Sequence, residues 1–292
     1  LTPSPNSRPQ LLFLLLLLGS VLLLFPQVRS LLALSSSDDS FSHLPIIPAI
    51  SAFLVFSERQ RAGDVRSGTD FRGIAAILPG VGLALYLRST AGLSVEIANA
   101  LTGLALVLIW TGSFGFCFGV DTLRKSPFPF LFLLFMVPLP PVVLDPVIGA
   151  LQRASSELVN VFFRLTGVTY MRESVFVYTL PGLSIEVAKQ CSGIRSSMSL
   201  FIVGVLAGHM VLRSGWRKGV LALSVFPITV FKNSIRIVLL TLLSVYVDEG
   251  FMKGNLHRVG GIPFFVGALL LLGGVLWILR RSEGNKPTVL NP

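Results

Sequence analysis

A thiol, a guanidinium and an imidazole stand out in this chain. The stretch VAKQCSGIRSS (187–197) sets Cys191, Ser192, Gly193 and Arg195 at the mouth of a long apolar run. FKNSIRIVLL (231–240) sets Lys232, Asn233 and Arg236 inside another, and His257 follows just before Val259-Gly260-Gly261. A cysteine attacks as thiolate, and a helix N-terminus or a nearby cation lowers its pKa. The apolar run after Gly193 predicts a helix starting there, with Ser192 as N-cap. Arg195 then shares a helical face with Cys191, four residues earlier. An ionisable group at mid-membrane costs roughly 2.5–3.5 kcal/mol on insertion scales, so Arg236 is a candidate site residue by default. A nucleophile, a proton carrier and an oxyanion stabiliser are the parts of an acyl-transfer site. The simpler readings are an inert buried thiol and a structural arginine bonded to carbonyls or lipid headgroups.

Other chemistries have less behind them. No H-E-x-x-H or Cys/His cluster appears, and Asp248 and Glu249 with His257 do not make a ligand spacing, so neither metal nor cofactor is expected. The other cysteine, Cys117, falls near the inner end of a predicted span, across the bilayer from Cys191, and there is no C-x-x-C, so no disulfide is expected. His43 and His209 read as unremarkable. Phe114, Phe116, Phe128, Phe130 and Phe132 read as packing and interface anchors.

These residues must be held by membrane helices. The chain is 52% hydrophobic and 13% charged, with mean hydropathy +0.77, whereas soluble domains are about a quarter charged. Its net charge of +10 lies in short clusters between apolar runs, which suits membrane topology and not nucleic-acid binding. About eight spans are predicted: 10–27, 44–57, 71–88, 93–118, 127–145, 193–212, 217–246 and 260–280. The second is short and carries Pro45 and Pro48; the first reads as a retained span in preference to a signal peptide. Before Cys191, residues 147–165 predict an amphipathic interfacial helix, with Leu151, Ala154, Leu158, Phe162 and Leu165 as its apolar stripe. VFVYTL and LSIEVA around Pro181-Gly182 predict a β-hairpin. The expected fold is therefore all-α, a polytopic membrane helix bundle with a short extracytoplasmic amphipathic helix and hairpin before the sixth span.

Charge counts orient it. With the N-terminus inside, the inner segments carry thirteen Lys and Arg and the outer ones eight, four of those in the long 139–190 segment. Short loops decide the orientation, and they favour both termini inside. Cys191 and the loop holding His257 then fall on the extracytoplasmic side.

CSGIRS, then NSIR opening an apolar run, then a histidine before Gly-Gly, resembles the exosortase/archaeosortase family of multi-pass membrane transpeptidases. The likeness covers roughly 140–280, including the GLSIEV approach to the cysteine; the N-terminal half matches only as membrane helices. It implies three regions: N-terminal membrane helices (1–126), a catalytic membrane core (127–282) and a polar tail (283–292). It also implies partners, namely secreted proteins that end in a short motif, a transmembrane helix and a basic tail, an acceptor molecule and membrane lipid. Cys191 would be the acyl-thioester nucleophile. Arg236 and His257 would stabilise the oxyanion and move the proton, in either assignment, supported by Ser192, Gly193, Arg195 and Asn233. Members of the family often carry an acidic residue where this chain has Lys189. The rival expectation is a transporter that uses Arg236, Lys232 and Asn233 to hold an anionic solute.

Overall fold

The computed structural model describes residues 8–62, 69–90, 92–187, 194–248 and 261–284. The chain divides into two compact units, Leu1–Pro141 and Val142–Pro292.

The first unit is built around one helix. Its elements are α1 (Arg8–Leu23), α2 (Phe25–Ser37), α3 (Ile46–Ala62), α4 (Ile74–Ser89), α5 (Val95–Phe118), α6 (Val120–Lys125) and α7 (Phe128–Phe132). Two thirds of the apolar window of α5 is buried (67%), against 22% for the span through α4. Ser94 starts α5 by accepting a 3.4 Å bond from the Ile97 N–H, and Glu96 adds a negative charge at the positive end of the helix dipole. Gly119 ends it at φ +88°, a conformation that side chains with a Cβ resist. Glycines let α4 and α5 approach backbone to backbone. A Cβ on Gly73 would stand 2.3 Å from the Phe116 nitrogen, and one on Gly112 2.7 Å from that of Ile77. Small residues at such contacts are how membrane helices gain packing without a hydrophobic driving force. Beside this contact, Asp70 accepts from Arg72 at 2.8 Å and from the Val120 N–H at 3.1 Å, and Arg72 also reaches Asp121 at 2.9 Å. Arg72 first, then the Val120 N–H, hold the Asp70 carboxyl down at about 2.

Two predicted spans are not single helices. The first was expected over 10–27, but α1 stops at Leu23 and α2 leaves at 81°. Leu24 sits at φ −104° and ψ 21°, and Pro26 occupies the first turn of α2. Proline has no N–H to give the carbonyl four residues back and its ring collides with it, so the run bends there. The fifth, expected over 127–145, resolves into α7, a 3₁₀ turn Leu133–Met136 and the start of a long helix, α8 (Pro141–Thr166). Pro138 and Pro140 cannot continue a helix, whereas Pro141 suits its first position. The amphipathic helix therefore begins at Pro141, not near 147. Among the described residues, four helices are long and apolar enough to cross a membrane, Phe71–Ser89, Val95–Phe118, Gly215–Tyr246 and Gly261–Ser282, or up to six if each bent pair is one span. The predicted spans 44–57 and 193–212 correspond to apolar stretches Ile46–Glu58 and Ser196–Val211, shorter than a full crossing needs. An all-α polytopic membrane architecture holds, with four to six candidate spans among the described residues.

The second unit joins α8 to a small sheet and three helices. Strands β1 (Met171–Arg172), β2 (Val177–Leu180) and β3 (Leu183–Glu186) pair antiparallel in that order, with Leu180 opposite Leu183 across Pro181-Gly182. Alternation puts Tyr178, Leu180, Ile185 and Val187 in the core with Val159 and Phe163 of α8. Helices α9 (Ile194–Val211), α10 (Gly215–Tyr246) and α11 (Gly261–Ser282) follow. Leu200, Leu221, Val225, Ile228, Ala268 and Leu272 pack them together, and Val238 of α10 joins the core of the sheet and α8. Glu283 accepts from the Ser214 N–H at 3.0 Å and from the Arg213 N–H at 3.2 Å. These bonds and the Arg217 cation hold its carboxyl below its ordinary range.

Candidate active site

The candidate site residues whose side chains the structure describes lie on α10. Lys232, Asn233 and Ser234 are all buried in this otherwise apolar helix, at 9%, 1% and 0% exposure. Three successive residues of a helix point in three directions, about 100° apart. Lys232 turns to α9, where its Nζ donates to the Ser196 hydroxyl. Ser234 turns to α8, where its hydroxyl donates to the Ser155 carbonyl at 3.0 Å. Asn233 faces between them. Arg236 is half-buried, one turn beyond Lys232, so two cations repel each other along this stripe.

Some groups on this face lack partners. The Asn233 Nδ2 and Thr229 Oγ1, one turn apart, and the Ser155 Oγ are buried with no hydrogen-bond partner among the described residues. Each such group costs about 1–3 kcal/mol, and natural cores seldom keep them without reason. Thr229 is telling. Ser234 and Thr241 on the same helix return their hydroxyls to the carbonyl four residues back, at 2.8 and 2.7 Å, and Thr229 does not. Next to it, an open apolar cleft of about 450 Å³ runs between α8 and α10, lined by Pro146, Val147, Ala150 and Ala154 on one side and Phe226, Pro227 and Val230 on the other.

The end of the sheet at Val187 is pinned by α8. Gln152 Nε2 donates to the Val187 carbonyl at 2.6 Å, and the Val187 N–H donates to Phe176 at 2.8 Å. One turn on, Ser156 bonds the Tyr178 hydroxyl at 2.9 Å and the Val175 carbonyl. One turn further, Asn160 Oδ1 accepts from the Tyr170 hydroxyl at 2.6 Å. Burial pushes the Tyr178 phenol up, so it stays a donor. On the rim, Arg172 pairs with Glu157 at 2.6 Å. Gln152, Ser156 and Asn160 thus form an i, i+4, i+8 polar stripe that pins the sheet. The predicted apolar stripe is turned the other way: Ala154 and Leu165 are exposed and Leu158 and Phe162 half-buried, Leu151 alone being buried. The same exposed side also carries Arg153, Glu157 and Arg164, so the helix turns a mixed face outward and packs Val159 and Phe163 with its polar stripe against the sheet.

Of the residues singled out by sequence, Arg236 and Asn233 lie on this face of α10, with Lys232 between them and α9. Cys191, Ser192, Gly193 and His257 lie outside the described residues, as does Lys189; Arg195 falls in the first turn of α9, its side chain outside them too. Cys117 is a buried free thiol in α5. Among the described residues no group of three or more His, Cys, Asp or Glu could hold a metal.

A family model described as transmembrane exosortase matches residues 34–274. The chain belongs to the transmembrane exosortase family. The match reaches back to residue 34, well beyond the 140–280 region that carried the likeness in sequence, so the helices from α3 onward are part of the exosortase family frame, while α1 lies before it. Membership with the apolar helices makes the chain a multi-pass membrane protein, and it supports a membrane transpeptidase of the sorting kind. Cys191, Arg236 and His257 all fall within the matched region. No curated protein and no solved structure matches the chain.

Proposed function

We propose that this exosortase is a membrane-embedded cysteine transpeptidase that removes the C-terminal sorting signal of secreted proteins and transfers them to an acceptor. The catalytic core would run over 127–282, with its active site on the extracytoplasmic side of the plasma membrane. The observation that carries this reading is one family match enclosing a thiol, a guanidinium and an imidazole in the expected order.

In this mechanism the Cys191 thiolate attacks the peptide carbonyl just outside the substrate's membrane anchor. A C–S bond forms as the carbonyl electrons move to oxygen. Collapse of the tetrahedral species breaks the C–N bond, and the leaving amine takes a proton from His257 or Arg236, the other stabilising the oxyanion. The anchor departs, leaving a thioester. An acceptor nucleophile then forms the new bond to the acyl carbon and Cys191 leaves as thiolate. The apolar cleft would take side chains of the substrate's apolar helix. Val230 at its edge is about 5 Å along α10 from Asn233, so a helix seated there would bring the peptide before it to the level of Asn233 and Arg236.

The test is processing of a secreted reporter that carries a tripartite C-terminal signal from the same genome. Cys191→Ala is expected to leave the precursor uncut while the enzyme stays in the membrane at its normal amount. Processing that persists in this variant overturns the reading.

A further inference from the structure

We propose that the Thr229–Asn233 face of α10 is a donor pocket for the substrate's scissile carbonyl oxygen, with the Asn233 side-chain amide donating to it. The inference rests on the transpeptidase reading and adds a residue role to it. Asn233 and Thr229 are each 1% exposed, yet among the described residues the Nδ2 of one and the Oγ1 of the other have no partner, and neither does the Ser155 Oγ at the contact of α8 with α10. Residues four apart on a helix have their Cβ atoms about 5–6 Å from each other, so the two α10 donors can converge on one oxygen. Their neighbours are already engaged. Lys232 is held by Ser196, and Ser234 by the Ser155 carbonyl and its own helix, so the orphaned donors are what this face has left to offer.

The surroundings select the ligand. Lys232 and Arg236 make the potential positive, which favours an oxygen that carries or develops negative charge. The apolar cleft is bordered on α10 by Val230, three residues from Asn233, so the oxygen would belong to a chain that is apolar on one side of the reacting peptide. A carbonyl that becomes an oxyanion on thiolate attack fits both conditions. Donors fixed in a dry site before the reaction stabilise that charge without reorganising. A neutral amide also complements a guanidinium, because oxyanion sites commonly use two donors.

The experiment compares Asn233→Leu, which keeps the volume without N–H groups, Asn233→Asp, which keeps the shape but donates nothing when ionised, and Thr229→Val. Each is assayed on the signal-bearing reporter, together with the rate at which Cys191 is alkylated by iodoacetamide. Both Asn233 variants are expected to cut at least about 100-fold more slowly through kcat with KM unchanged, and Thr229→Val about tenfold. Cys191 alkylation should stay at the wild-type rate. An Asn233→Leu or Asn233→Asp enzyme within about threefold of wild type overturns the proposal. So does a loss matched by an equal fall in Cys191 alkylation, which would mean that Asn233 merely supports the fold. Cys191→Ala separates the levels: an active Cys191→Ala enzyme sinks the transpeptidase reading, whereas an inactive one beside active Asn233 variants sinks only the amide's role.

Discussion

Arg236 differs from Lys232 in what it can do with its charge. An ammonium is a compact point charge on a flexible stem, and Lys232 spends it on Ser196. A guanidinium is a flat fork that stays charged and can bind an oxygen through two N–H groups. If that fork meets the reacting carbonyl, Arg236→Lys should lower reporter cleavage by tenfold or more with normal membrane levels, and Arg236→Ala by still more. Wild-type cleavage in Arg236→Lys would reduce the residue to a charge. At this scale the sequence was most legible where a side chain broke the apolar rule: Arg236 and Asn233 announce themselves by the cost of their position. Gln152, Ser156 and Asn160 did not. Small polar residues on an amphipathic helix look like its wet face, and only the packed sheet shows them turned inward. Their spacing of four was the available signal, hidden because the apolar stripe was assumed to be the buried one. Thr229 could not have been found from sequence, since a helical threonine normally bonds its own backbone.

Elements were readable where apolar length alone decides them. The spans through α4, α5, α10 and α11 lie within a few residues of their predicted bounds. Prolines made the difference elsewhere. Pro26 turns one apolar run into a bent pair, and the cluster around Pro138, Pro140 and Pro141 ends α7 and starts α8. Composition gives the length of a run but not whether its hydrogen-bond ladder survives. The α4–α5 contact was equally silent, because glycine is common in membrane helices for several reasons. It makes a sharp stability test. Gly112→Ala would set a Cβ 2.7 Å from the Ile77 nitrogen and should destabilise the solubilised protein by about 1–3 kcal/mol. Gly19→Ala, with nothing within 4 Å, should melt at or slightly above the wild-type temperature. Equal melting of the two variants would mean that the helices are not in backbone contact at Gly112.

Across the whole molecule, two compact units share one family frame over 34–274. The second holds α8, the sheet and the polar face of α10, so the chain reaches residue 187 pinned by Gln152 and resumes at Ile194, in the helix that bonds Lys232. The outward orientation proposed for this face rests on the charge asymmetry expected for an eight-span topology, thirteen basic residues in inner segments against eight in outer ones. The account stands on a covalent intermediate, and hydroxylamine can intercept it. Enzyme, signal-bearing reporter and excess hydroxylamine should yield a reporter whose new C-terminus is a hydroxamate, formed as nitrogen displaces the Cys191 sulfur, with none produced by Cys191→Ala. A reporter released at the wild-type rate with only a free carboxylate at that terminus would contradict it.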